Sequence, residues 1–188
     1  MSARQQGNTA TRQQGNTATR QPIYSTSKPP PQMTPIQQIA HQFREVYLSG
    51  EWIARTNLKQ ELSEITWEEA NTKIGTLNTI AELAFHINYY IAGLVEALEG
   101  APLSIRDQYS FDMPPIQSQA DWEEWQAKMW QDGERFAQLV ENLPADTLMG
   151  PFLEEKYGNN FRNFVGMIEH CYYHLGQIVL LKKLVREK

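Results

Sequence analysis

The stretch Asn160-Phe-Arg-Asn-Phe-Val-Gly-Met-Ile-Glu-His-Cys-Tyr-Tyr-His-Leu-Gly-Gln-Ile-Val179 decides the fold. On a helical wheel with Ile168 at zero, Phe161, Phe164, Val165, Tyr172, Leu175 and Val179 fall within about 60° of it at 100° per residue. Met167, His170, His174, Gln177 and Leu181 occupy the other side. Only a narrow strip with Arg162, Glu169 and Tyr173 reads as wet. A helix of this kind is buried on most of its circumference. It therefore runs inside a helical assembly, and in so small a chain one of its sides is expected to pack on a second subunit, making a homodimer.

The same pattern is found, less completely, upstream. Thr34-Pro35 supplies an N-cap followed by proline at the first helical position. Ile36, Ile39, Ala40, Phe43, Val46 and Tyr47 then form one stripe, which Ser49-Gly50 interrupts. A second segment, from Glu51 to about Leu62, carries Trp52, Ile53, Leu58 and Leu62 at less regular spacing. Thr66-Trp-Glu-Glu69 and Thr79-Ile-Ala-Glu82 both read as capping boxes. The second of these opens a helix whose stripe is Leu77, Ile80, Ala84, Ile87, Ile91, Leu94, Val95 and Leu98, with Gly100 as its stop. Residues 101–117 form a long connection that proline keeps extended. Ser118-Gln-Ala-Asp121 starts a third long helix with Trp122, Trp125, Met129, Phe136, Val140 and Leu143 on one side, closed by Leu143-Pro144. After the turn at Phe152-Leu-Glu-Glu-Lys-Tyr-Gly158, Asn159 or Asn160 caps the last helix, which runs to about Arg186. Four long helices and no convincing strand predict an all-α four-helix bundle with a long crossover between its second and third long helices.

Residues 1–32 are different material. Arg-Gln-Gln-Gly-Asn-Thr-Ala-Thr occurs at 4–11 and again, unchanged, at 12–19, and the segment ends in Pro29-Pro30-Pro31. Polar sequence of this kind has too little apolar surface to offset the entropy of ordering, so a disordered tail is expected there and a bundle domain over 33–188. The tail holds four basic residues and no acid. The remaining 156 residues carry 13 basic residues against 22 acidic, a net of −9. An acidic domain without a basic block disfavours nucleic acid as a partner. No apolar run approaches the roughly 20 residues of a membrane span. The single Cys171 precludes an intrachain disulfide and suits a reducing cytoplasm.

Three of the four histidines stand where a metal could use them. His170 and His174 are four apart, so a helix sets them one above the other on one face. His86, in the capped helix that begins after Thr79, could bring a third imidazole to the same point. Buried histidines satisfied by ordinary hydrogen bonds would show the same spacing. An unpartnered imidazole on a buried face is costly, however, and His41, the remaining histidine, reads as a surface residue. Cys171 and Glu169 point about 100° away from His170 and cannot readily complete a ligand set, while Glu82 is explained by its cap. Three protein ligands with a vacant position describe a reactive rather than a closed site. Neutral imidazoles accommodate Zn, Ni, Fe or Cu without choosing among them. Tyr90 and Gln177 are the candidate supporting residues, Gln177 as a partner for a ligating histidine. Tyr89, Tyr172 and Tyr173 also flank the histidines, though each reads better as a core or interface aromatic. Arg162 could hold an anionic substrate, although a salt bridge to Glu154 or Glu155 is the plainer account.

A histidine on the second helix of a bundle with His170-Cys-Tyr-Tyr-His174-Leu-Gly-Gln177 on the fourth resembles the DinB superfamily. Leu98-Glu-Gly-Ala-Pro-Leu103, Ser110-Phe-Asp, Pro114-Pro, Asp121-Trp-Glu, Tyr157-Gly and Arg162-Asn are similar to one uncharacterised branch of it. The resemblance covers about 33–188. It implies a bundle, commonly dimeric, with a divalent metal on His86, His170 and His174, and relatives that include transferases and isomerases using low-molecular-weight thiols. The expected function is accordingly a metal-dependent enzyme, a thiol S-transferase or a hydrolase-like protein acting on a small molecule. The alternatives are a non-catalytic dimeric bundle that binds a metal or small ligand in stress response or detoxification, and a bundle whose histidines are structural.

Overall fold

Each long helix begins on a side-chain cap visible in the sequence. The computed structural model describes residues 32–187, and the tail expected to be disordered at 1–32 lies, Gln32 apart, outside them. At the first helix, α1 (Pro35–Arg44), the Thr34 hydroxyl accepts from the Gln37 N–H at 3.3 Å while Gln37 Oε1 accepts from the Thr34 N–H at 2.9 Å. Two short helices follow, α2 (Leu58–Ser63) and α3 (Trp67–Asn71), the latter on the Thr66–Glu69 capping box. Then come the long helices α4 (Ile80–Leu98), α5 (Gln119–Glu141) and α6 (Asn160–Arg186), capped by Thr79, Ser118 and Asn159 respectively. Gly100, at φ +102°, ends α4. Its N–H donates to the Ala97 carbonyl and the Ala101 N–H to that of Glu96, which meets two of the carbonyls a helix end leaves unpaired.

Helix α1 continues into a π-type turn, Glu45–Ser49, and together with α4 it packs against both α5 and α6. Those four make the bundle; among the described residues there is no β-sheet, only an isolated bridge between Pro151 and Asn159. The core is aromatic where the helices meet. Phe43 stacks on Tyr47 at 5.0 Å and meets Phe136 edge-on at 4.8 Å, and Phe136 meets Phe164 at 6.0 Å. This run joins α1, α5 and α6 through offset and edge contacts that ring quadrupoles favour. Trp122 is fully buried and donates its indole N–H to the Ile65 carbonyl at 2.9 Å, tying α5 to the link between α2 and α3. No helix among the described residues is long and apolar enough to cross a membrane.

The segment 51–62 departs from its expected apolar stripe. Leu58 and Leu62 are buried, but Trp52 and Ile53 are 82 % and 59 % exposed. Helix begins only at Leu58, because Asn57 caps it and also donates to the Gly50 carbonyl, and Arg55 just before adopts φ +56°. Those two features spend the backbone's hydrogen bonds on turns. Leu77 is likewise 48 % exposed, since it precedes the Thr79 cap and lies outside the helix whose stripe it seemed to extend.

A close approach fixes how the π-type turn after α1 meets α5. A Cβ on Gly133 would fall inside the van der Waals envelope of the buried Tyr47 ring. In an open helix Gly→Ala gains about 1 kcal/mol. Here the expected effect of Gly133→Ala is the opposite, a loss of about 1–3 kcal/mol from overpacking. Urea unfolding would measure it, and a neutral or stabilising result would mean the ring has room to move.

Candidate metal centre

Helices α4 and α6 bring three imidazoles to one point. His86 Nε2 lies 3.1 Å from His170 Nε2, and His174 Nε2 lies 2.9 Å from the same atom. The ligand atoms of the three residues all fall within 4.8 Å of one another. Nitrogens bound at about 2.1 Å to one ion stand about 3.0 Å apart at right angles and about 3.4 Å apart in a tetrahedron. The two spacings to His170 Nε2 fit such an ion. Protons serve this arrangement less well. His174 Nδ1 is 2.7 Å from Gln177 Oε1, which can only accept, so the proton sits on Nδ1 and Nε2 presents a lone pair. A single proton on His170 Nε2 can be directed to one neighbour only.

Burial keeps the cluster uncharged. It lowers the pKa of His86 to about 4, helped by the nearby His174. It lowers that of His170 to about 4, helped by His174 and His86. His174 is lowered by burial as well, against the opposing bond to Gln177. All three are thus neutral imidazoles at neutral pH, the form that binds metals. His86 Nδ1 is buried without a hydrogen-bond partner; the Ser110 backbone is close enough to favour the charged ring but outside bonding geometry.

The connection between α4 and α5, residues 99–118, roofs the cluster. Phe111 stacks on the His86 ring at 4.2 Å and 12°. Tyr89 Oη donates to the Arg106 carbonyl at 3.1 Å and accepts from the Arg106 N–H at 2.9 Å. Tyr90 Oη donates to Asp107 at 2.9 Å, and its ring meets His86 and His170 edge-on at 5.1 and 5.4 Å. Burial and the bond to Asp107 both raise the Tyr90 pKa. Beside the cluster opens a cavity of about 680 Å³, with His170, Tyr90 and Asp107 at one end and Arg162 among its other lining residues.

The candidate residues thus separate. His86, His170, His174, Tyr90 and Gln177 are brought together. Cys171 is buried in the core outside the ligand group, its thiol pushed up by burial, and Glu169 is exposed. Glu82 caps Thr79 and pairs with Lys73. Tyr172 is half-buried; Tyr173 is 64 % exposed, its ring meeting that of His174 edge-on with centroids 4.8 Å apart. His41 is a surface residue beside Glu45. The expected Arg162 salt bridge does not form, because Glu154 pairs at 2.6 Å with Lys156, two residues along the same turn. Asp107 was not singled out in the sequence, and Phe111 entered there only within the Ser110-Phe-Asp similarity, without a role at the site. They belong to an extended stretch without periodicity, and only the adjacent tyrosines 89 and 90 hinted at something to hold there.

A bundle with a three-histidine centre shared between two helices is therefore the class of protein defined here. The family model of the DinB superfamily matches residues 53–178, and the chain belongs to that superfamily. No curated protein and no solved structure matches the chain.

The roof depends on few bonds. Tyr89→Phe removes both contacts to Arg106, each worth about 1 kcal/mol. Limited proteolysis within residues 101–117 is expected to accelerate about fivefold or more while the thermal midpoint barely moves. Unchanged cleavage would show that the roof is held elsewhere.

Proposed function

We propose that the protein is a metal-dependent enzyme acting on a small molecule, with one divalent ion, Zn, Ni or Fe, held by His86, His170 and His174. The convergence of three neutral imidazoles, with the Nε2 atoms of His86 and His174 at 3.1 and 2.9 Å from that of His170, is what supports this reading. A divalent ion with open positions supplies Lewis acidity, by which a thiol or water becomes a nucleophile near neutral pH. Transfer of a low-molecular-weight thiol through its sulfur to an electrophilic small molecule is the favoured reaction class and hydrolysis the second.

The chain's own groups have separable tasks. Gln177 orients His174 and holds its Nδ1 proton, directing Nε2 inward. Phe111 shields the His86 face from water. Tyr90 with Asp107 can hold or pass a proton at Tyr90 Oη, at the edge of both His86 and His170. The cavity admits the small molecule. A reducing cytoplasm suits a lone buried cysteine.

Protein purified without a histidine tag is expected to carry about one divalent ion per chain, falling below about 0.1 in His170→Ala. Gln177→Ala should weaken metal binding about 10–100-fold with its helical content intact. A wild-type metal content below about 0.1, unchanged by His170→Ala, would sink the metal reading. Transferase assays with a panel of small thiols and electrophiles test the reaction, and consistent failure with the metal loaded would favour a binding protein.

We also infer a homodimer. Tyr173, Gly176 and Leu180 form an exposed strip on α6, with Leu180 57 % exposed, and this is the side left for a second copy. Leu180→Glu is expected to convert a dimer to a monomer in sedimentation equilibrium; a wild-type monomer would overturn the inference.

A further inference from the structure

The cavity beside the histidines has a cation that the fold does not neutralise. Arg44 is bound by Glu134 and Glu141, Arg135 by Glu99 and Arg186 by Glu69. Arg162 lines the cavity, yet its guanidinium has no ion pair or hydrogen bond among the described residues. Arg162 is exposed, and Arg55 and Arg106 likewise form no ion pair among the described residues, but of these three only Arg162 lines the cavity. Helix position adds to it. Arg162 sits in the first turn of α6, which holds no acidic residue, and a cation there opposes the helix dipole. An anion seated at this point would relieve both.

The guanidinium is directed along the cavity. An added Cβ at Gly166 would stand 3.3 Å from Arg162 Nη1, so the missing side chain leaves the space that the arginine crosses. Gly166 is one turn from His170, about 6 Å along the axis. The lining is otherwise largely apolar, with Leu94, Ile105, Phe152 and Met167 beside the polar Tyr157 and Asn163. The cavity's carboxylate, Asp107, is at the histidine end, engaged by Tyr90. Charge therefore sorts a ligand's orientation.

We propose that this cavity takes a small carboxylic acid, with its apolar body along Leu94, Ile105, Phe152 and Met167 and its carboxylate on Arg162. A planar guanidinium pairs with a carboxylate through two parallel N–H donors, which suits this end group better than an alcohol or an amine. The opposite end of the molecule then lies against His170. What happens there rests on the reading of the centre as a reactive metal site; the binding does not.

The test uses hexanoate and octanoate as probes, each against the alcohol of equal length, with affinities from calorimetry. Purified protein and the same protein after chelation are measured, with helical content checked by circular dichroism. In both preparations the acids are expected to bind about tenfold tighter than the alcohols. Arg162→Gln should reduce that preference to about twofold or less without changing alcohol affinity, and Arg162→Lys should restore part of it. A preference that survives Arg162→Gln, or none in the wild type, overturns the proposal. An Arg162-dependent preference in protein that never carries metal would uphold it and sink only the metal reading.

Discussion

Three imidazoles, two half-buried and one buried, with the Nε2 atoms of His174 and His86 2.9 and 3.1 Å from that of His170, are the constraint on which the rest of this structure depends. Burial disfavours charge on each ring, and each ring disfavours charge on its neighbours. Lone pairs in such proximity repel unless something shared lies between them. Holding them there requires two helices in fixed rotation and a roof that keeps water out.

The bundle meets those requirements with polar and aromatic locks placed away from the cluster. Asn88, two residues after His86 and so on the far side of α4, accepts from Tyr47 Oη at 2.9 Å and donates to Asp132 at 3.0 Å. This network ties the rotation of α4 to the π-type turn after α1 and to α5, which turns His86 toward α6. On α6, Phe164 is fully buried against Phe136 and Phe152, which sets the register that carries His170 and His174 to the level of His86. The roof is then laid along α4 by Tyr89, Tyr90 and the Ile105 contact at Gly93, whose missing side chain leaves room for it.

Charge is distributed to match. Most basic side chains of the bundle surface are engaged by carboxylates, as in Lys182 with Glu61 and Glu64 or Arg186 with Glu69, which join α6 to α2 and α3. Such pairs contribute modestly, but together they pin the end of the longest helix. Arg55, Arg106 and Arg162 form no such pair among the described residues, and of the three only Arg162 lines the cavity beside the histidines.

Local chemistry was enough to read the helices from the chain. Thr34, Thr66, Thr79, Ser118 and Asn159 each cap the helix they announce, because capping depends on a side chain and a backbone N–H within three residues. The i, i+4 spacing of His170 and His174 is likewise a property of one helix, so two of the three histidines were legible from periodicity alone. Trp52 and Ile53 misled, since an irregular apolar run says nothing of whether turns will consume its backbone. Contacts across the chain were decided by tertiary structure. It placed His86 on the pair, 84 residues away from His170, and put Phe111 on His86. It also gave Glu154 to Lys156 and so left Arg162 unpaired. Those outcomes depend on how helix rotations and an aperiodic connection settle against one another. Residue spacing carries no record of that, because the packing energies involved are summed over the whole core.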